Sequence, residues 1–126
     1  MTRDQNLIQI RPILSDQNDA ALEEDMAQFQ LHTLRPILKF QHEFFVKLAE
    51  EKLIARHSDW KNHVDQKKRE LISSWISLDL ETKKTVEGSI ISFFTLAELD
   101  FYFKNEKEIQ KRIRAFLIER LRLALV

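Results

Sequence analysis

The chain is expected to fold as an all-α protein, a compact bundle of about five helices around a buried central helix at about residues 80–103. Three observations lead there. One glycine and two prolines in 126 residues are too few to supply the φ > 0 positions that tight hairpin turns need. Apolar residues recur at three- and four-residue intervals along most of the chain, the period of an amphipathic helix. The longest apolar run, Val86–Phe103, holds five of the twelve aromatic residues, and a helix apolar on so much of its circumference belongs in a core.

Residues 1–15 read as an irregular or flexible N-terminal segment, with Asn6–Ile10 either a short strand or a frayed helical turn. Pro12 ends it, because a residue before proline is pushed out of the α region. The first helix is expected from Asp16 to about His32, capped by Ser15 or Asp16. It is acidic: residues 12–32 carry five carboxylates and no Lys or Arg. A second helix starts at Pro36, whose missing N–H costs nothing in a first turn, and runs to about Arg56. It carries two adjacent apolar stripes. One is Ile37, Phe40, Phe44, Leu48 and Ala55, and the other is Leu38, Phe45, Ala49 and Leu53. An apolar face that wide implies two neighbours.

A third helix follows a Ser58 or Asp59 cap and runs to about Leu78, with Trp60, Val64, Leu71, Trp75 and Leu78 on one side. The fourth begins at Asp79 or Thr82 and enters the organising run. A single continuous helix is the primary expectation there, with Gly88 marking either a close helix approach or a bend. The competing reading is a break near Thr95, where Thr95 and Glu98 match a capping box. Asn105 and Glu108 match another, and the last helix then runs from Glu106 to the C-terminus. Ile109, Ile113, Phe116, Leu117 and Ala124 form its stripe, and Arg120 falls in the middle of it. A charge there must snorkel or find a carboxylate, and the acidic first helix offers one.

Length favours one domain over residues 1–126, and 44% apolar residues argue against general disorder. Twenty basic residues balance twenty acidic ones, which excludes a surface that is basic throughout. The absence of cysteine removes disulfides, thiolate metal sites and a Cys nucleophile. The start, MTRDQNLIQIRP, lacks the apolar core and small-residue cleavage site of a secretory leader. No stretch approaches 18 uninterrupted apolar residues, so no transmembrane segment is expected. A cytoplasmic location follows as the default.

No metal, cofactor or catalytic site is expected. None of His32, His42, His57 and His63 stands in a Glu-x-x-His or His-x-x-x-His pattern. Asp59 and His63 have ligand spacing but read as a surface helix contact. One glycine cannot build a phosphate-cradling loop or a nucleophile elbow, and Glu23-Glu24 and Glu50-Glu51 point about 100° apart on a helix.

By elimination, the function expected is that of a non-catalytic protein–protein interaction module: a small adaptor, chaperone-like factor or regulator. Its partner would be another protein or a second copy of itself, as a homodimer. The positive sign is charge asymmetry. The acidic first helix, with Asp19, Glu23 and Glu24, faces a C-terminal stretch where seven basic residues outnumber three acids over 104–126, among them Lys111, Arg112 and Arg120. If the chain breaks at Thr95, Phe101, Tyr102 and Phe103 turn outward as an apolar contact surface. The first alternative is a nucleic-acid-binding regulator. It would use the basic last helix or a helix-turn-helix near 60–92, with Thr82, Lys83 and Lys84 leading the recognition helix. The second alternative is a small helical enzyme whose site is assembled from distant helices.

Overall fold

A computed structural model describes residues 2–11 and 25–126. Its described residues are helices joined by short links, and the all-α expectation holds. They form more and shorter helices than five. The elements are α1 (Arg3–Ile10), α2 (Met26–Phe29), α3 (Arg35–Phe40), α4 (His42–Arg56), α5 (Asp65–Leu78), α6 (Leu80–Ile91), α7 (Leu96–Lys104) and α8 (Glu106–Leu125). A π-helical turn, Gln30–Leu34, joins α2 to α3, and a 3-10 turn, Trp60–Asn62, precedes α5. α4 and α5 both pack along α8, and α6 packs on α5.

The N-terminal segment is helical from Arg3, where a strand or frayed turn over 6–10 was the reading. Thr2 and Gln5 form a reciprocal capping box that satisfies two first-turn donors. The helix ends before Pro12, as expected, with Arg11 extended. The acidic helix expected from Asp16 lies largely outside the described residues, Asp16, Asp19, Glu23 and Glu24 included. What is described begins with Asp25, whose side chain caps α2 by accepting from the Ala27 N–H.

The expected stop at His32 does not occur. The backbone stays helical from Met26 through Phe40, and Arg35 is αR despite preceding Pro36. The π turn explains how. Pro36 cannot donate to the His32 carbonyl, and its ring crowds that carbonyl in a regular helix. The Arg35 N–H reaches back five residues to Gln30 O instead, which widens the turn and makes room for the ring. Gln41 then interrupts the rod between α3 and α4, with φ −90° and ψ 7°, and its side-chain amide donates to the Ser89 carbonyl at 3.0 Å.

The third helix starts later than expected. Val64, 72% exposed, stands at its N-cap, and Trp60 is buried from the 3-10 turn before it. The side chains that bury this helix are therefore Ile72, Trp75 and Ile76, with Leu78 exposed. Asp59 and His63 flank the 3-10 turn rather than sharing a helix face.

The central run is not one helix. α6 is capped by Asp79, as expected, and stops at Ile91. Thr95 caps α7 with Glu98 in a full capping box. The break lies at Ser92–Phe94, so the cap signal at Thr95–Glu98 outweighed the continuous apolar periodicity. Gly88 is neither a close-contact site nor the bend: it is exposed and helical, and a Cβ there would meet nothing within 4 Å. Asn105 precedes α8 without capping it. Its amide donates to the Phe101 carbonyl at 3.0 Å instead, closing the end of α7. α8 buries Ile109, Ile113, Leu117 and Leu121, a regular i, i+4 stripe. One apolar cluster joins it to Phe29, Phe45, Ile72, Ile90 and Phe94.

Candidate interaction surfaces

Three features stand out from this frame: a polar clasp at the α6–α7 break, an aromatic ridge beside it, and a cationic groove along the end of α8.

The clasp begins with Arg11. Its guanidinium grips Glu98 with both terminal nitrogens, one at 2.7 Å, and also donates to the Phe93 carbonyl at 2.7 Å. The two side chains are 8% and 7% exposed, so this is a buried, bidentate pair of the strong kind. Thr33, from the π turn, donates its hydroxyl to the same carboxylate, and the Thr95 N–H donates at 2.7 Å. Burial alone would push the Glu98 carboxyl up, but the Arg11 guanidinium and the two other donors outweigh it and hold the group below its ordinary range. Arg3 adds hydrogen bonds to the Ser92 and Phe94 carbonyls, and Asp4 accepts from the Leu96 N–H. α1 buries no residue of its own. It is held by these polar contacts to backbone groups that the helix break leaves without intrahelical partners.

The ridge is built from the helix with two apolar stripes. Leu38, Phe45, Ala49 and Leu53 are all buried. On the other stripe Ile37 is buried, but Phe40 is 46% exposed, Phe44 43%, and Leu48 partly covered. The break at 92–94 sends Phe94 into the core, where it packs edge-on to Phe29, and places Phe93 against Phe40 with ring centroids 5.4 Å apart. Phe40, Phe44 and Phe93 thus form an aromatic ridge open to solvent on its outer side. Lys47 and Glu51, paired at 3.0 Å, stand beside it.

The groove runs between α3–α4 and the last turns of α8. Its volume is about 580 Å³. Arg35, Lys39, His42 and Arg120 line it with one carboxylate, Glu119, while Leu38, Phe116, Leu123 and Ala124 supply apolar walls. Arg120 lies against His42, its guanidinium nitrogen 3.3 Å from His42 Nδ1. Partial burial lowers the Arg120 guanidinium from its ordinary value. Among the described residues no carboxylate lies within ion-pair distance of Arg35, Lys39 or Arg120.

The residues singled out from sequence are scattered. Asp19, Glu23 and Glu24 lie outside the described residues. Lys111 is exposed, and Arg112 bonds Glu108 and Gln30. Arg120 meets His42, and the acids of the first helix that were expected to face it lie largely outside the described residues. The chain does break near Thr95, yet Phe101 and Tyr102 do not turn outward. Tyr102 is 3% exposed and Phe101 stacks on Phe29, leaving only Phe103 in solvent at 64%. The physical reason is that α7 is amphipathic and keeps its apolar face on the core. The features missed were Arg11 with Glu98, the Phe40–Phe44 ridge, and Arg35 and Lys39 in the groove. A signal existed for the ridge, since the second stripe of that helix was visible. None existed for a pair 87 residues apart in sequence.

Among the described residues no group of three or more His, Asp or Glu could hold a metal ion, and no helix is long and apolar enough to cross a membrane. Comparison of the chain with family models, curated proteins and solved structures finds no match.

Proposed function

We propose that the protein is a non-catalytic helical interaction module that docks an amphipathic helix of another protein on the Phe40–Phe44–Phe93 ridge. The observation that carries this reading is the part of the second stripe that the described residues leave open, Phe40 and Phe44. Two neighbouring phenylalanines at i, i+4 spacing, each nearly half exposed, lie beside a third across the helix break. Aromatic side chains dominate the energetics of protein interfaces, and anchors one turn apart suit the apolar face of a helix. The flanking charges are mixed, Lys47 with Glu51, so apolar burial would supply the affinity while rim charges set orientation.

A nucleic-acid footprint has less support. Three of the six basic residues of α8 have separate internal partners: Arg112 with Glu108 and Gln30, Arg114 with Glu87 at 3.6 Å, and Arg122 with Ser73 and the Arg69 carbonyl. In the region read as a helix-turn-helix, Asp79 alone separates α5 from α6, where that motif uses a turn of about 3–4 residues. Thr82, at the front of the supposed recognition helix, is buried and bonded to Asp79.

The test compares the wild-type chain with Phe40→Ser/Phe44→Ser in parallel affinity capture from the native host. Polypeptides held by the wild type and lost by the variant are expected. An unchanged set of retained proteins contradicts the reading. Sedimentation equilibrium of both chains shows whether a second copy takes the same place.

A further inference from the structure

We propose that the groove between α3–α4 and the end of α8 is a binding site for a small amphipathic anion, a carboxylate with an unbranched apolar tail. This goes beyond the docking ridge and does not rest on it: Arg35, Lys39 and His42 line the groove, and neither Phe40 nor Phe44 does.

Two properties of the groove point to this class. The first is charge. Arg35, Lys39 and Arg120 bring three fixed positive charges to one concavity against the single carboxylate of Glu119. Like charges gathered in one concavity repel, and partial burial already lowers Arg120 from its ordinary value. Its only side-chain partner among the described residues is His42 Nδ1, which brings no negative charge. An anion would balance this excess, and a guanidinium takes a carboxylate through two parallel hydrogen bonds. The second property is the apolar part of the lining. Phe116, Leu123 and Ala124, on the same helix as Arg120, offer apolar surface with nothing to recognise a sugar, a base or a polar head. A bare inorganic anion would leave that surface wet, and a neutral hydrocarbon would leave the cations unmatched. About 580 Å³ falls within the roughly 300–1,000 Å³ of small-molecule sites, which admits a medium-length acyl chain with its head group.

Isothermal titration of the full chain with decanoate, kept well below its micelle concentration, tests the proposal. Decanol serves as the neutral analogue and acetate as the head group alone. Saturable one-to-one binding of decanoate is expected, at least tenfold tighter than decanol, with acetate silent at the same concentrations. Arg120→Met should weaken decanoate at least tenfold. Lys39→Met, at an exposed position that cannot unfold the bundle, should weaken it severalfold. Decanol binding as tightly as decanoate would overturn the proposal, since only apolar adhesion would be left. So would decanoate binding that neither substitution weakens, or no decanoate binding at all.

Discussion

The two apolar stripes of the α3–α4 rod are nearly equal in composition and diverge in fate at their phenylalanines. Leu38, Phe45, Ala49 and Leu53 are sealed in the core, whereas Phe40 and Phe44 stand nearly half in solvent. Adjacent residues make the contrast sharpest, because the Phe44 and Phe45 rings touch at 5.4 Å and only one of them is buried. Periodicity reports which side chains are apolar. It does not report whether the chain itself supplies the surface that covers them. An apolar stripe left partly open by its neighbours among the described residues is the kind of patch that marks contact with another molecule.

That comparison can be broken from its buried side first. Phe45→Ala should cost about 3–5 kcal/mol, the transfer and cavity terms of a large buried aromatic, measured by urea denaturation. A loss under about 1 kcal/mol would mean that the two stripes are not energetically distinct. The next largest effect is expected where the ridge is anchored. Arg11 holds both Glu98 and the Phe93 carbonyl, so Arg11→Ala leaves a buried carboxylate without its cation. About 3 kcal/mol of destabilisation should follow, together with looser packing of Phe93 on Phe40, readable as altered aromatic proton shifts.

Acid should act through the same anchor and through the α6 cap. Glu98 and Asp79 are both held below ordinary carboxylate values in the folded protein, Asp79 at about 2. For Asp79 the Thr82 hydroxyl is the main cause, with Arg56 next. A lowered folded pKa contributes stability that is complete above the unfolded value and lost as pH falls through the folded one. Stability should therefore drop between about pH 4 and about pH 2. Asp79→Asn should flatten part of that slope in acid-titrated thermal melts. The smallest expected change leaves both stripes alone. Gly88 is exposed, helical and uncrowded, so Gly88→Ala should stabilise the fold by about 0.5–1 kcal/mol. It makes a useful control, because it changes stability without touching the ridge.

Much of the frame was legible in the chain. The helical spacing of α8, the Asp79 cap and the Thr95–Glu98 capping box each encode local structure in neighbouring residues, and each appears where its spacing put it or offered it. What was not legible has a common cause. The π turn exists because Pro36 follows a segment that tertiary packing keeps helical, and propensity alone argues for a break there. The burial of Tyr102 depends on which face of α7 meets Phe94, from which its ring centroid lies 5.8 Å away. The Arg11–Glu98 pair and the Arg35–Arg120 groove join residues more than eighty positions apart. No local pattern records such pairings. The ridge sits between these cases: its residues were visible as a stripe, and their exposure among the described residues was not.

The central claim is that Phe40 and Phe44 serve contact with another protein rather than the fold. The most direct measurement is the stability of Phe40→Ser/Phe44→Ser set beside its retained partners. The expected result is a urea-unfolding free energy within about 1 kcal/mol of wild type, as for surface positions, with ridge-dependent partners lost. A variant that unfolds as readily as Phe45→Ala, or one that is stable and still holds every partner, would contradict the claim.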